Sequence, residues 1–98
     1  MGRFEGQVAV VTGAATGIGL GIARRLGEEG ARILVVDVDQ SSAEQAMDEL
    51  SKWKIKAQLQ LGDVGDENLA QGVAEKAITA WGRIDILINN AGIAGDTA

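Results

Sequence analysis

The chain has 98 residues, enough for one small domain, and a formal net charge of -5. Because it carries neither a basic run nor an arginine stripe, its acidic balance argues against nucleic acid and against an anionic membrane surface as partners. It contains no cysteine and no histidine, which excludes a disulfide framework, a thiolate metal site and histidine acid-base chemistry, so no metal ligand is assigned.

The first predicted element is the apolar run Val8 to Val11, which lacks polar alternation and is typical of a strand buried on both faces of a parallel sheet. A glycine-rich turn follows, and helical spacing predicts a helix from Gly17 to Glu29. The turn has the pattern GxxxGxG, formed by Gly13, Gly17 and Gly19. Because glycines leave backbone N–H groups open at a helix N-terminus, the stretch predicts a diphosphate site. Taken alone, the same pattern also fits an ordinary tight turn.

Two more glycines, Gly21 and Gly27, lie inside the predicted first helix. Each costs about 1 kcal/mol relative to alanine in a helix interior. We expect Gly21 to let the helix lie close on the sheet, and the alternative is that its cost is simply tolerated.

The second predicted strand, Ile33 to Val36, is again apolar and is followed by Asp37, 24 positions after Gly13. A carboxylate about 20 residues beyond a glycine turn, at the tip of the second strand, is where the hydroxyls of a ribose bind. The spacing of Ser41 and Glu44 predicts a capping box that begins the second helix. We expect the apolar side chains after it, Met47 and Trp53, to lie in the core.

The third predicted strand alternates apolar and polar residues from Ala57 to Leu61, so we expect it at a sheet edge with one face in water. Residues 63–66 then turn into a third helix that ends at Gly82. Its apolar side consists of Leu69, Val73, Ala77 and Trp81. The run Ile84 to Ile88 predicts the fourth strand.

Strands that alternate with helices require a parallel sheet, and right-handed crossovers fix how it winds. With the third strand at an edge, we predict an α/β fold, a partial Rossmann-like doubly wound sheet of order 3-2-1-4 with three helices. The first two helices cover one face and the third helix covers the other. A ligand is expected in the crevice above strands one and four, where the winding reverses.

Four motifs share one order and spacing with a known family. They are Thr12-Gly13-x-x-x-Gly17-Ile18-Gly19, Asp37, Asp63-Val64 and Asn89-Asn90-Ala91-Gly92. Together they resemble the short-chain dehydrogenase/reductase family, and they span nearly the whole chain. The resemblance identifies residues 1–98 as one cofactor-binding half-domain, truncated relative to a full member of the family.

The resemblance also implies roles for these motifs. In the family the glycine turn holds the pyrophosphate, the acid after strand two binds the adenosine ribose, the Asp-Val pair borders the adenine, and Asn-Asn-Ala-Gly braces the central strand beside the cofactor. The implied cofactor-binding residues are Gly13, Thr16, Gly17, Ile18, Gly19, Asp37, Val38, Asp63, Val64, Asn90, Ala91 and Gly92. For Asn89 and Asn90 we expect a structural task, tying the fourth strand to its neighbours.

NAD is the predicted cofactor. The charge of Asp37 would repel the 2′-phosphate that distinguishes NADP, and Asp37 would lose the hydroxyl that this phosphate replaces. Where NADP-preferring relatives typically carry a basic residue, this chain holds Thr16 and Val38. Neither side chain can pair with a phosphate.

Members of the family transfer a hydride between the nicotinamide and an alcohol or carbonyl, using a serine and a Tyr-x-x-x-Lys motif. This chain has no tyrosine, and those residues would lie beyond Ala98. We therefore assign no catalytic residue and expect the chain to be inactive by itself, with a substrate only in a full-length parent.

Other functions remain open from the residues alone. One is a nucleotide-binding module, stand-alone or engineered, without catalysis. A P-loop phosphotransferase is excluded because GxxxxGK[ST] is absent. An S-adenosylmethionine methyltransferase also uses a glycine turn and a ribose-binding acid, but it has no role for Asn-Asn-Ala-Gly.

Two further expectations concern self-association and cellular location. Without a second half of the fold, the apolar fourth strand forms a sheet edge, so we expect self-association through that edge and the bare face beside it. Residues 1–7 lack the apolar core of a signal peptide, and no apolar run approaches the ~20 residues of a membrane helix, so we expect a cytoplasmic location.

Overall fold

A four-stranded parallel sheet with helices on both faces forms the molecule. The computed structural model describes residues 2–15, 17–62 and 67–90. The elements are β1 (Val8–Thr12), α1 (Gly17–Glu28), β2 (Arg32–Asp37), α2 (Gln40–Lys52), β3 (Ala57–Leu61), α3 (Glu67–Trp81) and β4 (Ile86–Asn89). Their order in the sheet is β3-β2-β1-β4, with every pair parallel. The predicted order and helix number are confirmed.

The core has two layers, one on each side of β1 and β2. One layer packs under α1 and α2 and includes Ala9, Val11, Ile33 and Val35 of the strands with Ala23 and Leu50 of the helices. The other packs under α3 and joins Val8, Val10, Leu34 and Val36 to Leu69 and Ala77. Because burying one valine, leucine or isoleucine side chain stabilises a fold by about 1.5–3 kcal/mol, these two strands dominate the driving force for folding.

The two outer strands are less covered. β3 lies at the expected edge and follows the predicted alternation at Gln58, which is exposed, and Leu59, which packs against the core under α1 and α2. The alternation fails at Leu61, which was predicted on the dry face and is exposed. β4 begins at Ile86, two residues later than predicted, and Asp85 just before it bonds to β1. The backbone N–H of Asp85 donates to Val8 O at 2.9 Å, and its carboxylate Oδ2 accepts from Val8 N at 2.8 Å.

The start of α2 corrects a prediction, whereas α1 ends within one residue of its predicted end. α1 ends at Glu28, and Gly30 with φ +100° completes a Schellman turn in which Ala31 N donates to Leu26 O at 3.1 Å. The predicted capping box at Ser41 is wrong. α2 begins at Gln40, and Asp39 is its N-cap because the Asp39 carboxylate accepts from Ser41 N at 3.1 Å.

The glycine that allows close packing in α1 is Gly27 and not Gly21. A Cβ added at Gly27 would lie 2.5 Å from Ile55 Cγ2, inside the core under α1 and α2. A Cβ at Gly21 would meet nothing within 4 Å. The expectation that Gly21 brings the helix close to the sheet is therefore wrong. The lower helix propensity of Gly21 is tolerated without a packing gain.

Trp53 is also placed differently from the prediction. It follows the last residue of α2 and is 48% exposed, outside the core. The Arg24 guanidinium lies 3.5 Å from the centroid of its ring, so the indole is covered by a cation instead of by apolar side chains. Met47, by contrast, packs against the core as expected.

We predict opposite effects for two alanine substitutions in α1. Gly21→Ala should stabilise the protein by about 0.5–1 kcal/mol, because alanine favours the helix and the space is open. Gly27→Ala should destabilise it by about 1–2 kcal/mol, because the overlap with Ile55 outweighs the same helical gain. Urea unfolding of the two variants measures both effects, and shifts of the same sign would contradict this packing.

Asp85 joins the amino ends of β1 and β4 through its two hydrogen bonds with Val8, and its carboxylate also pairs with Arg83. Arg83 Nη2 lies 2.7 Å from Asp85 Oδ1. The hydrogen bonds from Arg83, followed by the one from Val8 N, hold the pKa of the Asp85 carboxyl below its usual range. A carboxyl with a lowered pKa in the folded state stabilises the fold above its unfolded pKa, about 3.9, and loses this effect as the pH falls through the folded value.

We predict that Asp85→Asn makes unfolding less sensitive to acid. The difference in unfolding free energy between the unmodified protein and this variant should be largest near neutral pH and shrink below about pH 4. Urea unfolding between pH 7 and pH 3 checks this. Asp48→Asn, at an exposed position of α2, is the control for the loss of one negative charge. A difference that stays constant over this range would contradict the role of the carboxylate.

Candidate nucleotide site

The predicted site residues meet at the carboxyl edge of the sheet. In the strand register Thr12 of β1 lies between Val36 of β2 and Asn89 of β4. The glycine turn, Asp37 and Asn90 each follow one of these positions. They therefore surround the point where the winding of the sheet reverses, which is where ligands bind in doubly wound folds.

The turn after β1 needs glycine at two positions for conformational reasons. Gly13 has φ +64° and Gly17 has φ +59°, values that side-chain-bearing residues rarely adopt. Gly13 N donates to Val36 O at 2.8 Å, which ties the turn to the end of β2. Gly17 is exposed, and a Cβ placed there would meet nothing within 4 Å, so its backbone is open to an approaching ligand.

Gly19 is needed for a different reason, the close approach of α1 to the turn. A Cβ at Gly19 would lie 2.0 Å from Gly13 O and 2.8 Å from Asn90 Nδ2. The first turn of α1 is thereby held directly above the end of β1, with Ile18 between the two glycines and 74% exposed. Because the first N–H groups of a helix lack partners within it and carry its positive dipole end, this edge favours an anion.

Asn89 and Asn90 make the bracing contacts expected of them. Asn90 Nδ2 donates to Gly13 O at 3.2 Å. The Thr12 hydroxyl lies 3.2 Å from Asn89 Oδ1 and 3.3 Å from Ile88 O, and it donates its one proton to this pair of acceptors. The two asparagines thus connect the end of β4 to the end of β1 and to the glycine turn.

The Asp37 carboxylate is oriented by backbone amides on both of its oxygens. Oδ1 accepts from Val38 N at 2.8 Å and from Asp39 N at 3.2 Å, and Oδ2 accepts from Ala15 N at 3.1 Å. Two carboxylate oxygens accept about four hydrogen bonds, so capacity for another donor remains. Val38, directly beside it, is 70% exposed.

Several predicted site residues lie outside the described residues. They are Thr16, Asp63, Val64, Ala91 and Gly92. The structure also adds one group that the sequence did not indicate, the Ala15 amide that contacts Asp37. No sequence pattern marks it, because a backbone donor is common to every residue except proline.

An apolar groove of about 330 Å³ lies between α3 and β4, next to the carboxyl edge. Its walls include Val10, Leu69, Val73, Ala74, Ile84 and Leu87. Thr12 and Asn89 also line it, so the groove reaches the nucleotide site.

Residues 2–15, 17–62 and 67–90 hold neither a metal centre nor a membrane-spanning helix. In these ranges no three acidic side chains come together as metal ligands would. None of the helices there has the length and apolar character needed to cross a membrane.

Comparisons with known proteins agree with this geometry. The family model described as short chain dehydrogenase matches residues 7–98. An uncharacterized oxidoreductase of Bacillus subtilis, YxbG, is 43% identical over 93 residues, which are 95% of this chain and 34% of that protein. The chain thus spans about a third of the length of the relative it matches.

Solved structures give the same result for the fold. A putative short-chain dehydrogenase/reductase from Burkholderia xenovorans has a TM-score of 0.86 and 35% identity, covering 92% of this chain and 36% of that one. A metagenomic short-chain oxidoreductase in complex with NADP has a TM-score of 0.79 and 36% identity, covering 86% of this chain and 38% of that one.

The last of these structures bears on the cofactor. It holds a nicotinamide cofactor, and that cofactor is NADP. Likeness to the family therefore indicates a nicotinamide dinucleotide and leaves the choice between NAD and NADP to the residues of this chain. With the family model matched over residues 7–98 and the 3-2-1-4 sheet in place, the chain belongs to the short-chain dehydrogenase/reductase family of oxidoreductases.

Proposed function

We propose that residues 1–98 form the NAD-binding half-domain of a short-chain dehydrogenase/reductase, whose full-length parent transfers a hydride between the nicotinamide and an alcohol or carbonyl substrate. The observation that carries the proposal is the Asp37 carboxylate, oriented by three amides at the end of β2 beside the glycine turn. A carboxylate at this position serves to bind ribose hydroxyls in dinucleotide-binding folds. We propose the cytoplasm as the location.

The turn has the shape that a diphosphate requires. Gly17 is exposed with open space above its backbone, while Gly19 brings the start of α1 down onto Gly13 O. A diphosphate could approach the amides of residues 17–19 without meeting a side chain at either glycine. We propose that Gly13, Gly17, Ile18 and Gly19 surround the pyrophosphate, with Asn90 bracing the turn from β4.

At the adenosine end we propose that Asp37 accepts from the ribose hydroxyls and that Val38 supplies an exposed apolar surface beside them. A 2′-phosphate would bring a second negative group to the carboxylate, which argues for NAD over NADP. Thr16, Asp63, Val64, Ala91 and Gly92 complete the proposed set on the family resemblance alone.

The bound nicotinamide supplies or accepts the hydride, whereas the tasks of this chain are to bind and orient the dinucleotide. The chain holds no tyrosine, so we propose that it does not catalyse the reaction alone and that proton transfer and substrate recognition belong to a full-length parent. The alternative is a stand-alone or engineered nucleotide-binding module. A reading frame that continues into a Tyr-x-x-x-Lys motif would decide for the enzyme.

We predict that the chain binds NADH at least about tenfold more tightly than NADPH, because hydrogen bonds to a charged group contribute about 1.5–3 kcal/mol. Asp37→Ala should bring the two affinities close together. Fluorescence titration of both cofactors measures this, with S-adenosylmethionine as a control ligand that should not compete. Equal affinity of the unmodified chain for NADH and NADPH would contradict the assignment of NAD.

We also propose that a second copy of the chain covers the apolar face next to β4. Leu87 is 67% exposed, Ile78 is 52% exposed and Ile84 is 39% exposed. In the part of the chain that the structure describes, β4 pairs with β1 alone. Relatives are about three times longer, and the further part of such a fold would cover the face that is exposed among the described residues.

We predict self-association of the 98-residue chain through this face. Sedimentation at increasing protein concentration should show dimers or larger species, and Leu87→Lys should shift them toward monomer because a charge there opposes burial. Leu61→Lys, a matched change at the opposite edge of the sheet, should have little effect. A monomer at high concentration, or loss of association with Leu61→Lys alone, would contradict this face.

A further inference from the structure

Asp37 makes a contact that recognition of a ribose does not require. Its Oδ2 accepts from Ala15 N, 22 positions earlier in the chain and inside the glycine turn. Its other oxygen accepts from Val38 N and Asp39 N at the entry to α2. One carboxylate therefore joins the end of β2, the turn after β1 and the start of α2.

The contact restrains the part of the turn that faces β2. Gly13 is held by its N–H on Val36 O and by its carbonyl on Asn90 Nδ2. Ala15 is buried, with 4% of its surface exposed, and its amide is directed at Asp37. An amide that donates to Asp37 is not directed at a ligand, so this bond helps to decide which N–H groups of the turn remain for a pyrophosphate.

We propose that Asp37 is a positioning residue for the pyrophosphate turn, in addition to its role as an acceptor for the adenosine ribose. The inference rests on the proposed function, because it assigns the turn to a dinucleotide. It couples the two halves of the ligand: the group that recognises the sugar also fixes the backbone that receives the diphosphate.

The two roles predict opposite effects on a ligand that has no sugar. If Asp37 acts on the ribose alone, removing its negative charge lowers the repulsion on an anion and leaves binding of inorganic pyrophosphate equal or stronger. If Asp37 positions the turn, removing the acceptor releases the Ala15 amide and weakens pyrophosphate binding.

Asp37→Asn is the informative variant. In Asp37 the amides of Val38 and Asp39 reach one carboxylate oxygen and Ala15 N reaches the other. Asparagine has one accepting oxygen and one donating nitrogen. Because two amides need the acceptor on the side of α2, we expect the oxygen to stay there and the nitrogen to face Ala15 N, which then loses its acceptor. Asp39→Asn is the matched control. It removes the same charge two residues away, and asparagine is as good an N-cap as aspartate, so α2 keeps its start.

The first measurement needs no ligand. Amide hydrogen exchange followed by NMR should show Ala15 exchanging about tenfold faster in Asp37→Asn than in the unmodified chain, the change expected for one lost hydrogen bond. The amide of Val11, in buried β1, should keep its rate and so report that the fold is intact. In Asp39→Asn both amides should keep their rates.

The second measurement is titration with inorganic pyrophosphate, followed by the NMR shifts of the turn amides. Asp37→Asn should bind more weakly than both the unmodified chain and Asp39→Asn. Unchanged exchange at Ala15, or pyrophosphate binding in Asp37→Asn as tight as in the unmodified chain, would overturn the inference. Failure of the unmodified chain to bind NADH would overturn the proposed function instead, and exchange at Ala15 would still decide whether Asp37 positions the turn.

Discussion

The close approach of α1 to the end of β1 is the constraint on which the site depends. Only a residue without a Cβ fits at Gly19, because the carbonyl oxygen of Gly13 occupies that space. This contact sets the first turn of the helix above the carboxyl edge, where the amides and the dipole of a helix N-terminus favour an anion. Asn90 reaches the same carbonyl from β4, so the turn is held from both sides.

The site also depends on the register of three short strands. β4 has four residues, and its alignment on β1 is fixed at one end by Asp85 on Val8 and at the other by Asn89 near Thr12. A shift by one residue would turn each side chain of β4 to the opposite face of the sheet. The bonds between Asp85 and Val8 at the amino edge therefore help to place the asparagines at the carboxyl edge.

The fold was predictable from sequence because its signals are strong and local. Apolar runs mark β1 and β2, alternation marks β3 as an edge, and helical spacing marks the three helices. The strand order followed from these signals and from the handedness of crossovers.

The wrong predictions concern alternatives that only tertiary contacts distinguish. Two acceptable caps lie close together at Asp39 and Ser41, and the bond from Ser41 N to the Asp39 carboxylate makes Asp39 the cap. Gly21 and Gly27 look alike in sequence, but Ile55 faces only Gly27. At the site, the positions of Asp37 and Asn90 were predictable, whereas the bond from the Ala15 amide was not, because backbone donors leave no trace in sequence.

The backbone at the start of α1 is proposed to receive a dinucleotide. The most direct test is titration of the ¹⁵N-labelled chain with NAD, followed by the shifts of its backbone amides. We expect the largest shifts at Gly13, Gly17, Ile18 and Gly19, with smaller ones at Val38 and none along the amino edge around Asp85. Shifts concentrated away from the carboxyl edge, or none at saturating NAD, would contradict the account.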